Sequence, residues 1–210
     1  MSSSKVTGRY LKSFKKRDTV SFQIQYQQKR LSAADAIRVV MNGDTIVVPT
    51  AVGEPPALLT ALSEARRDFR GVQVAQILPL RKFGYFDPET AEHVRHTAYF
   101  FGGASRPGGQ EGWIDFIPAN FSELPALLTR RLIGSDVVFS MASPMDEHGF
   151  FSLSLAADYT MAALKNARAV VLEVNPNVPF ANGNCHIHIS EIAALTESDD
   201  ARMEVGLPKI

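Results

Sequence analysis

TIVVPTAVGEPPALLTALSEARRDF (residues 45–69) contains one complete strand–loop–helix unit. The β-branched run at its start predicts a short buried strand over residues 45–49. A helix is predicted over residues 55–69, because proline suits a first helical turn and Leu58, Leu59 and Leu62 recur along one face. A strand followed by an amphipathic helix is the repeating unit of parallel α/β sheets.

The same alternation continues along the chain. Helical spacing predicts further helices over 31–44 (capped by Ser32), 87–94, 122–133 and 154–167. Short apolar runs predict strands over 72–78, 97–102, 136–143, 169–175 and 186–190. Because most strand runs are continuously apolar, helices should cover both faces of the sheet. The predicted fold class is α/β, with a mainly parallel sheet flanked by helices.

Composition limits the classes of function. The 210 residues suit about one domain, and 22 Lys+Arg balance 22 Asp+Glu, which gives no support to nucleic-acid or membrane-surface binding. The single cysteine, Cys185, allows no intrachain disulfide and no thiolate zinc cluster. No apolar run reaches the roughly 18 residues of a membrane span. We expect no metal, no membrane partner and a cytoplasmic location.

The first thirty residues differ from the rest. They contain one acid, Asp18, against eight basic residues: Lys5, Arg9, Lys12, Lys15, Lys16, Arg17, Lys29 and Arg30. A basic, serine-containing, acid-poor segment is typical of organelle transit peptides. The alternative, which we favour, is a solvated extension that lies on the domain.

Candidate site residues concentrate in the loops that follow the predicted strands. In open parallel sheets, ligands bind beyond the carboxyl ends of the strands. The loops there are TAVGEPP, LRKFGYFD, GGASRPGGQEG, PMDEHGFF and NPNVPFANGN, and each contains glycine, proline or asparagine. This edge of the sheet is therefore the predicted site.

Two of these loops have the composition of ligand-binding loops. TAVGEP (50–55) lacks both G-x-G-x-x-G and the P-loop lysine, but Gly53 permits close backbone approach and the next helix N-terminus can hold an anion or a carbonyl oxygen. GGASRPGGQEG (102–112) has five glycines, and Arg106 can pair with a carboxylate or phosphate. The alternatives are a simple turn and a flexible loop.

The histidines do not form a recognisable metal motif. His93 and His96 lie three residues apart, and His186 and His188 alternate along a predicted strand, so each pair shares a side. Neither pair has an evident third ligand, which favours structural roles. Nothing near Cys185 predicts the lowered pKa of a nucleophilic thiol.

SPMDEHGFFSLS (143–154) places three ionisable residues in a row, Asp146, Glu147 and His148. Adjacent side chains cannot all point one way, so they do not make a metal cage. We predict a turn in which Asp146 bonds nearby backbone, Gly149 takes a positive φ and Phe150 packs underneath.

Five segments in this order resemble the acetyl-CoA hydrolase/transferase family: VVPTAVGEPPALLTAL, HVRHTAYFFGG, SPMDEHGFFSLSLAADYT, VLEVNPNVPF and HIHISEI. The family includes class I CoA-transferases of the acetate and 4-hydroxybutyrate type. The resemblance covers about residues 31–196. It implies three segments: a basic extension (1–30), the N-terminal-half domain (31–196), and a linker or tail toward a second half (197–210).

The resemblance also implies a reaction. Family members have two similar α/β halves and move CoA from an acyl-CoA to a carboxylate. A glutamate of the C-terminal half attacks the thioester to give an acyl anhydride, and the CoA thiolate returns to form a glutamyl-CoA thioester. The implied substrate is a CoA thioester, with no permanently bound cofactor. No catalytic residue is expected in this chain, which alone should have little activity.

By the same resemblance, the residues that shape an acyl and acceptor pocket are Gly53, Glu54, Pro55, Arg106, Asp146, Glu147, His148 and Gly149. The implied partners are an acyl-CoA, a small carboxylate and a C-terminal half or subunit, in an oligomer. Three alternatives stay open: an acyl-CoA hydrolase, a non-catalytic relative that binds acyl-CoA or protein, and another α/β enzyme such as a sugar-phosphate isomerase. The missing phosphate-binding signature weighs against the last.

Overall fold

The fold is given by a computed structural model that describes residues 20–201. Its helices are α1 (20–29 of the described part), α2 (Ala33–Ala36), α3 (Pro56–Glu64), α4 (Arg106–Glu111), α5 (Leu124–Thr129) and α6 (Thr160–Ala163). Its strands are β1 (Thr45–Val47), β2 (Val72–Ile77), β3 (Val94–Phe100), β4 (Asp115–Phe116), β5 (Val137–Ala142), β6 (Phe150–Ser152), β7 (Ala169–Val174), β8 (His186–His188) and β9 (Ala194–Glu197). Most of the basic extension and of the predicted tail lies outside the described residues.

Seven strands form one parallel sheet in the order β4-β3-β2-β1-β5-β7-β9, which confirms the predicted α/β class. From β1 the chain first builds outward through β2, β3 and β4. It then crosses back to β5 and builds the other side. The strand order therefore reverses between β1 and β5, which is where open α/β sheets bind ligands.

Two apolar layers hold the sheet. Ile46 and Val48 face a layer that contains α2 and α3, and Val47 faces a layer that contains α5, α6 and the β6–β8 ribbon. Every residue of β5 and of β7 is buried. Each fully buried leucine or valine contributes about 1.5–3 kcal/mol to the transfer free energy of folding. The continuous apolar runs in the sequence follow from this burial on both faces.

Several predicted helices are shorter than their patterns. Ser32 caps α2 as predicted, by accepting a hydrogen bond from the Asp35 N–H. The predicted helix over 87–94 is wrong: it contains only a 3₁₀ turn, Pro88–Thr90, and β3 already begins at Val94. Pairing of Val94 with Val72 of β2 overrides the local helical pattern.

The loop GGASRPGGQEG contains an unpredicted helix, α4. Glycine intrinsically disfavours a helix, but here tertiary packing requires glycine at two helical positions. A Cβ on Gly109 would lie 2.3 Å from the Phe101 ring, and one on Gly108 would lie 2.5 Å from Ile114 Cδ1. The glycines therefore let α4 pack closely, rather than making the loop flexible.

Strands β4, β6 and β9, each two to four residues long, were not predicted. β8, the predicted last strand, does not join the main sheet. It pairs antiparallel with β6 in a separate two-stranded ribbon, where Phe151 pairs with Ile187.

Helix α1 packs on this ribbon and on β9. Tyr26 stacks on Phe151 with ring centroids 6.1 Å apart, and its hydroxyl donates to Glu197 Oε1 at 2.7 Å. The Lys29 ammonium donates to the carbonyls of Ile189 and Ile192, and burial lowers its pKa. Residues 20–29 therefore lie against the domain. Across the described part of the chain, the helices are too short or too polar to cross a bilayer.

Candidate functional site

The loop after β1 lies at the reversal of strand order. Gly53 is the buried last residue of a 3₁₀ turn, Ala51–Gly53, and Pro55 precedes α3. A Cβ on Gly53 would lie 2.9 Å from Ala156 Cα and 2.9 Å from Pro49 Cβ. The close approach that glycine permits here is therefore to the chain itself.

Gly53→Ala is expected to lower the free energy of unfolding by about 1–3 kcal/mol, because the added methyl meets backbone that cannot rotate away. Thermal unfolding of the two proteins measures this. The matched control is Gly103→Ala in a neighbouring loop, where a Cβ would meet nothing within 4 Å. Equal melting temperatures for both variants would contradict the packing argument.

Glu54 follows Gly53 and is only 3% exposed. Its Oε2 accepts hydrogen bonds from Gln76 Nε2 at 3.1 Å and from the Leu80 N–H at 3.4 Å, and Arg81 Nε lies 4.0 Å from Oε1. Burial raises the pKa of Glu54, and these three neighbours oppose the rise. Burial and the charge of Glu54 together raise the pKa of Tyr85.

This buried cluster has unused hydrogen-bonding capacity. Among the described residues, Glu54 Oε1, Gln76 Oε1 and the Tyr85 hydroxyl are buried and make no hydrogen bond. Such groups each cost about 1–3 kcal/mol relative to a bonded state. The cluster borders a shallow depression lined by Val52, Glu54, Pro56, Arg81, Met141, Asn175, Asp200 and Ala201. A single water-sized polar group in this depression would face one cation and two carboxylates.

The sequence predicted that the N–H groups at the N-terminus of α3 can hold an anion or a carbonyl oxygen. In the structure, a side chain of the protein itself already accepts from these groups. The N–H groups of Ala57 and Leu58 donate to Glu173 Oε2, at 2.8 and 3.1 Å. Burial raises the pKa of Glu173, while hydrogen bonds from Ser198, Leu58 and Ala57 oppose the rise. The helix end is thus occupied by a carboxylate of the chain.

The turn after β5 has the predicted backbone. Asp146 Oδ1 accepts from the N–H groups of His148 (2.9 Å) and Phe150 (2.8 Å), and Gly149 has φ +83°. Phe150 does not pack underneath, however: it is 38% exposed beside His188, whereas Phe151 is buried. The period of two in β6 turns these neighbours to opposite faces.

The predicted site residues form separate groups. Glu147 and His148 are exposed and lie 3.4 Å apart at their side-chain tips. Arg106 is exposed at the start of α4, where its Nη2 donates to the Phe101 carbonyl at 3.4 Å. Within residues 20–201, no hydrogen bond or ion pair joins Arg106 to Glu54 or to the Asp146 turn. The three groups share the carboxyl edge of the sheet, and the depression beside Glu54 is lined by neither Arg106 nor the Asp146–Gly149 turn.

Two of the histidines, His93 and His96, lie in structural settings. His96 is fully buried in β3, its ring stacked 4.5 Å from Phe86, and burial lowers its pKa to about 3. His93 Nδ1 lies 2.8 Å from the Phe69 carbonyl oxygen. Across the described part of the chain, no group of three His, Cys, Asp or Glu side chains converges as a metal site.

Two residues that fix the site loops were missed from the sequence. Asp158 Oδ2 accepts from the Thr50 N–H at 2.8 Å, and the Tyr159 hydroxyl donates to the Val48 carbonyl and accepts from the Ile77 N–H. Together they connect the ends of β1 and β2. The available signal was Asp158 itself, whose Oδ1 accepts from the Thr160 N–H two residues on, in a local turn that interrupts the helix predicted over 154–167.

Proteins of known sequence resemble this chain over most of its length. The family model for the acetyl-CoA hydrolase/transferase N-terminal domain matches residues 12–205. A succinyl-CoA:cyclohexane-1-carboxylate CoA transferase from Geobacter metallireducens is 42% identical over 90% of this chain and 43% of its own length. A 4-hydroxybutyrate coenzyme A transferase from Clostridium kluyveri is 31% identical over 88% of this chain, again 43% of its length.

Solved structures show the same partial overlap. RipA from Yersinia pestis superposes with a TM-score of 0.83 at 27% identity, covering 90% of this chain and 46% of that protein. A 4-hydroxybutyrate CoA-transferase from Porphyromonas gingivalis gives a TM-score of 0.70 at 26% identity, with 88% and 43% coverage. The chain thus spans less than half the length of these relatives.

Proposed function

Because this chain belongs to the acetyl-CoA hydrolase/transferase family, we propose that it acts as the N-terminal half of an acyl-CoA:carboxylate CoA-transferase. The observation that carries the proposal is that the N-terminal-domain model matches residues 12–205, while about 90% of the chain aligns with only 43% of two CoA transferases. The nucleophilic glutamate then belongs to a second half or subunit. This chain contributes the wall of the acyl and acceptor pocket, and a CoA thioester is the substrate.

In this proposal, the second half meets the carboxyl edge of the sheet. Large apolar side chains are exposed there and in the adjoining loops: Leu78, Phe100, Phe116, Phe121 and Leu155 are between 38% and 55% exposed. Phe101 and Phe116 stack at 4.6 Å, and Phe121 packs edge-on against Tyr159. Exposed apolar surface of this kind supports a protein contact. It would also exclude water from a reactive acyl intermediate.

Glu54 is the residue of this chain that we place nearest the reacting groups. Burial raises the pKa of Glu54, so its carboxyl keeps a proton to higher pH than a free glutamic acid does, and the protonated form donates a hydrogen bond to a carboxylate or thioester oxygen at the depression. The ionised form would repel an acceptor carboxylate. Gly53 and Pro55 hold Glu54 in place, and Arg106 and the Asp146–Gly149 turn form outer parts of the same edge.

The test is intact-mass analysis under denaturing conditions of protein purified from its native source and incubated with acetyl-CoA. When the nucleophilic glutamate reacts with acetyl-CoA and acetate leaves, a glutamyl-CoA thioester remains. Its polypeptide then gains the mass of CoA less one water. We expect this gain on the polypeptide that contains the second half, and none on residues 1–210. A CoA adduct on Glu54, or no adduct on any co-purifying chain, would overturn the proposal.

The second candidate function is a non-catalytic relative that binds an acyl-CoA or a protein. A non-catalytic relative would leave every co-purifying chain without a CoA adduct.

Hydrolysis of the acyl-CoA differs from transfer only in whether water or a carboxylate takes the acyl group, and product analysis with and without added acetate separates the two. Oligomeric assembly and a cytoplasmic location stay predictions.

Asp146→Ala removes the acceptor of two backbone hydrogen bonds, so we expect the complete enzyme to lose activity and about 1–2 kcal/mol of unfolding free energy. The matched control is Glu89→Ala, at an exposed acidic position outside the proposed site. Steady-state transfer assays and thermal melts provide the measurements. Full activity with an unchanged melting temperature in the Asp146 variant would show that the turn does not shape the site.

A further inference from the structure

Glu173 is a buried carboxylate that the proposed reaction does not use. It lies on β7 with no exposed surface, and its Oε2 accepts the N–H groups of Ala57 and Leu58. Those groups belong to the first turn of α3, directly after the Gly53–Pro55 loop. A carboxylate suits this position, because the first N–H groups of a helix lack intrahelical partners and lie at its positive end.

The other oxygen of the same carboxylate bonds a different part of the chain. Glu173 Oε1 accepts from the Ser198 hydroxyl at 2.7 Å. Asn175, which is almost fully buried, donates through Nδ2 to Ser198 Oγ (3.3 Å) and to the Asp200 carbonyl (3.0 Å). The Ser198 N–H donates to the Val174 carbonyl at 3.0 Å. One buried carboxylate therefore connects α3 with the segment 198–201.

The two connected parts meet again at the surface. Asp200 and Ala201 line the depression that contains Glu54. Ser198 and Asp199 line a second depression, on the side of Tyr26 and Pro144. The segment 198–201 thus forms a wall of both, and a shift of the segment changes the surroundings of Glu54.

We propose that Glu173 is a positioning residue that couples the segment 198–201 to the Gly53–Pro55 loop through the first turn of α3. This inference rests on the proposed function. In the longer relatives, the region that matches this N-terminal domain is followed by further chain. In this proposal, the position of a second half therefore affects the position of the segment 198–201. Seating that half would then adjust the geometry of the loop that holds Glu54.

Amide hydrogen exchange of the 210-residue chain, followed residue by residue by NMR, tests the coupling without any assay of activity. In Ser198→Ala we expect the amides of Ala57 and Leu58 to exchange about fivefold faster or more, because the Glu173 carboxylate that accepts from both loses the hydrogen bond that holds its other oxygen. The amide of Val138, in the centre of the sheet, should keep its rate. Ser198→Thr retains the hydroxyl and should restore the slow exchange at both α3 amides.

The matched control is Ser190→Ala, which removes an exposed serine hydroxyl that bonds His188. It should leave the α3 amides unchanged. Unchanged rates at Ala57 and Leu58 in Ser198→Ala would overturn the coupling, and so would an equal acceleration at Val138, which would indicate global destabilisation. Either failure would leave the CoA-adduct test untouched, so the coupling and the proposed function fail separately.

Discussion

Replacing Tyr159 with phenylalanine is expected to lower the free energy of unfolding by about 2–5 kcal/mol, because two buried backbone groups lose their partner. The Tyr159 hydroxyl donates to the Val48 carbonyl and accepts from the Ile77 N–H at 3.1 Å. These atoms end β1 and β2, where the site loops begin. The ring itself stays in place, so the loss reports on the hydroxyl alone.

Chemical denaturation at constant pH measures this loss. The matched control is Tyr99→Phe: Tyr99 packs edge-on against Tyr159 at 5.7 Å, and its buried hydroxyl makes no hydrogen bond within the described part of the chain. We expect that variant to be as stable as the parent chain or more so. If Tyr159→Phe cost no more than Tyr99→Phe, the bridging role of the Tyr159 hydroxyl would be wrong.

Glu54→Gln is expected to stabilise the chain above neutral pH and to leave its stability near pH 4 unchanged. Burial raises the pKa of Glu54 in the folded chain above its value in the unfolded chain. The stability that Glu54 contributes is therefore present below the unfolded pKa, about 4.3, and is lost as pH rises through the folded pKa. Glutamine has the same shape without the charge, so it avoids this loss.

Melting temperatures of the parent chain and the variant, taken from pH 4 to pH 8, measure the difference. Each unit by which the pKa is raised corresponds to about 1.4 kcal/mol at high pH, and each kcal/mol to about 2–4 °C for a chain of this size. Glu173 is present in both proteins, so its own titration cancels. Glu64→Gln, at an exposed position on α3, controls for the change in net charge. A constant difference across this pH range would contradict the prediction.

A stabilising Glu54→Gln would also bear on function. A buried carboxyl that costs stability at neutral pH is typical of sites where activity, rather than folding, retains a residue. The polar cluster of Glu54, Gln76 and Tyr85 is the least satisfied part of an otherwise apolar layer. We therefore expect the stabilised variant to lose transfer activity in the complete enzyme.

The sequence by itself determined the class of fold, and it predicted the edge of the sheet where we propose the site. Continuous apolar runs and helical spacing are local patterns, so they predicted most strands of the main sheet and placed the loops at their carboxyl ends. The Asp146 turn was equally local, because its hydrogen bonds join residues two and four positions apart. The family was also recognisable from the order of short motifs.

Only the tertiary structure decided what those loops contact. Glu173 bonds the start of α3 across a sequence separation of 116 residues, and Tyr159 bonds Val48 across 111. Neither pairing can therefore be predicted from the local sequence pattern. Helix α4 forms in a glycine-rich stretch because Phe101 and Ile114 leave no room for side chains. Local propensities are worth tenths of a kcal/mol per residue, whereas such buried contacts are worth several times more, and only folding brings them together.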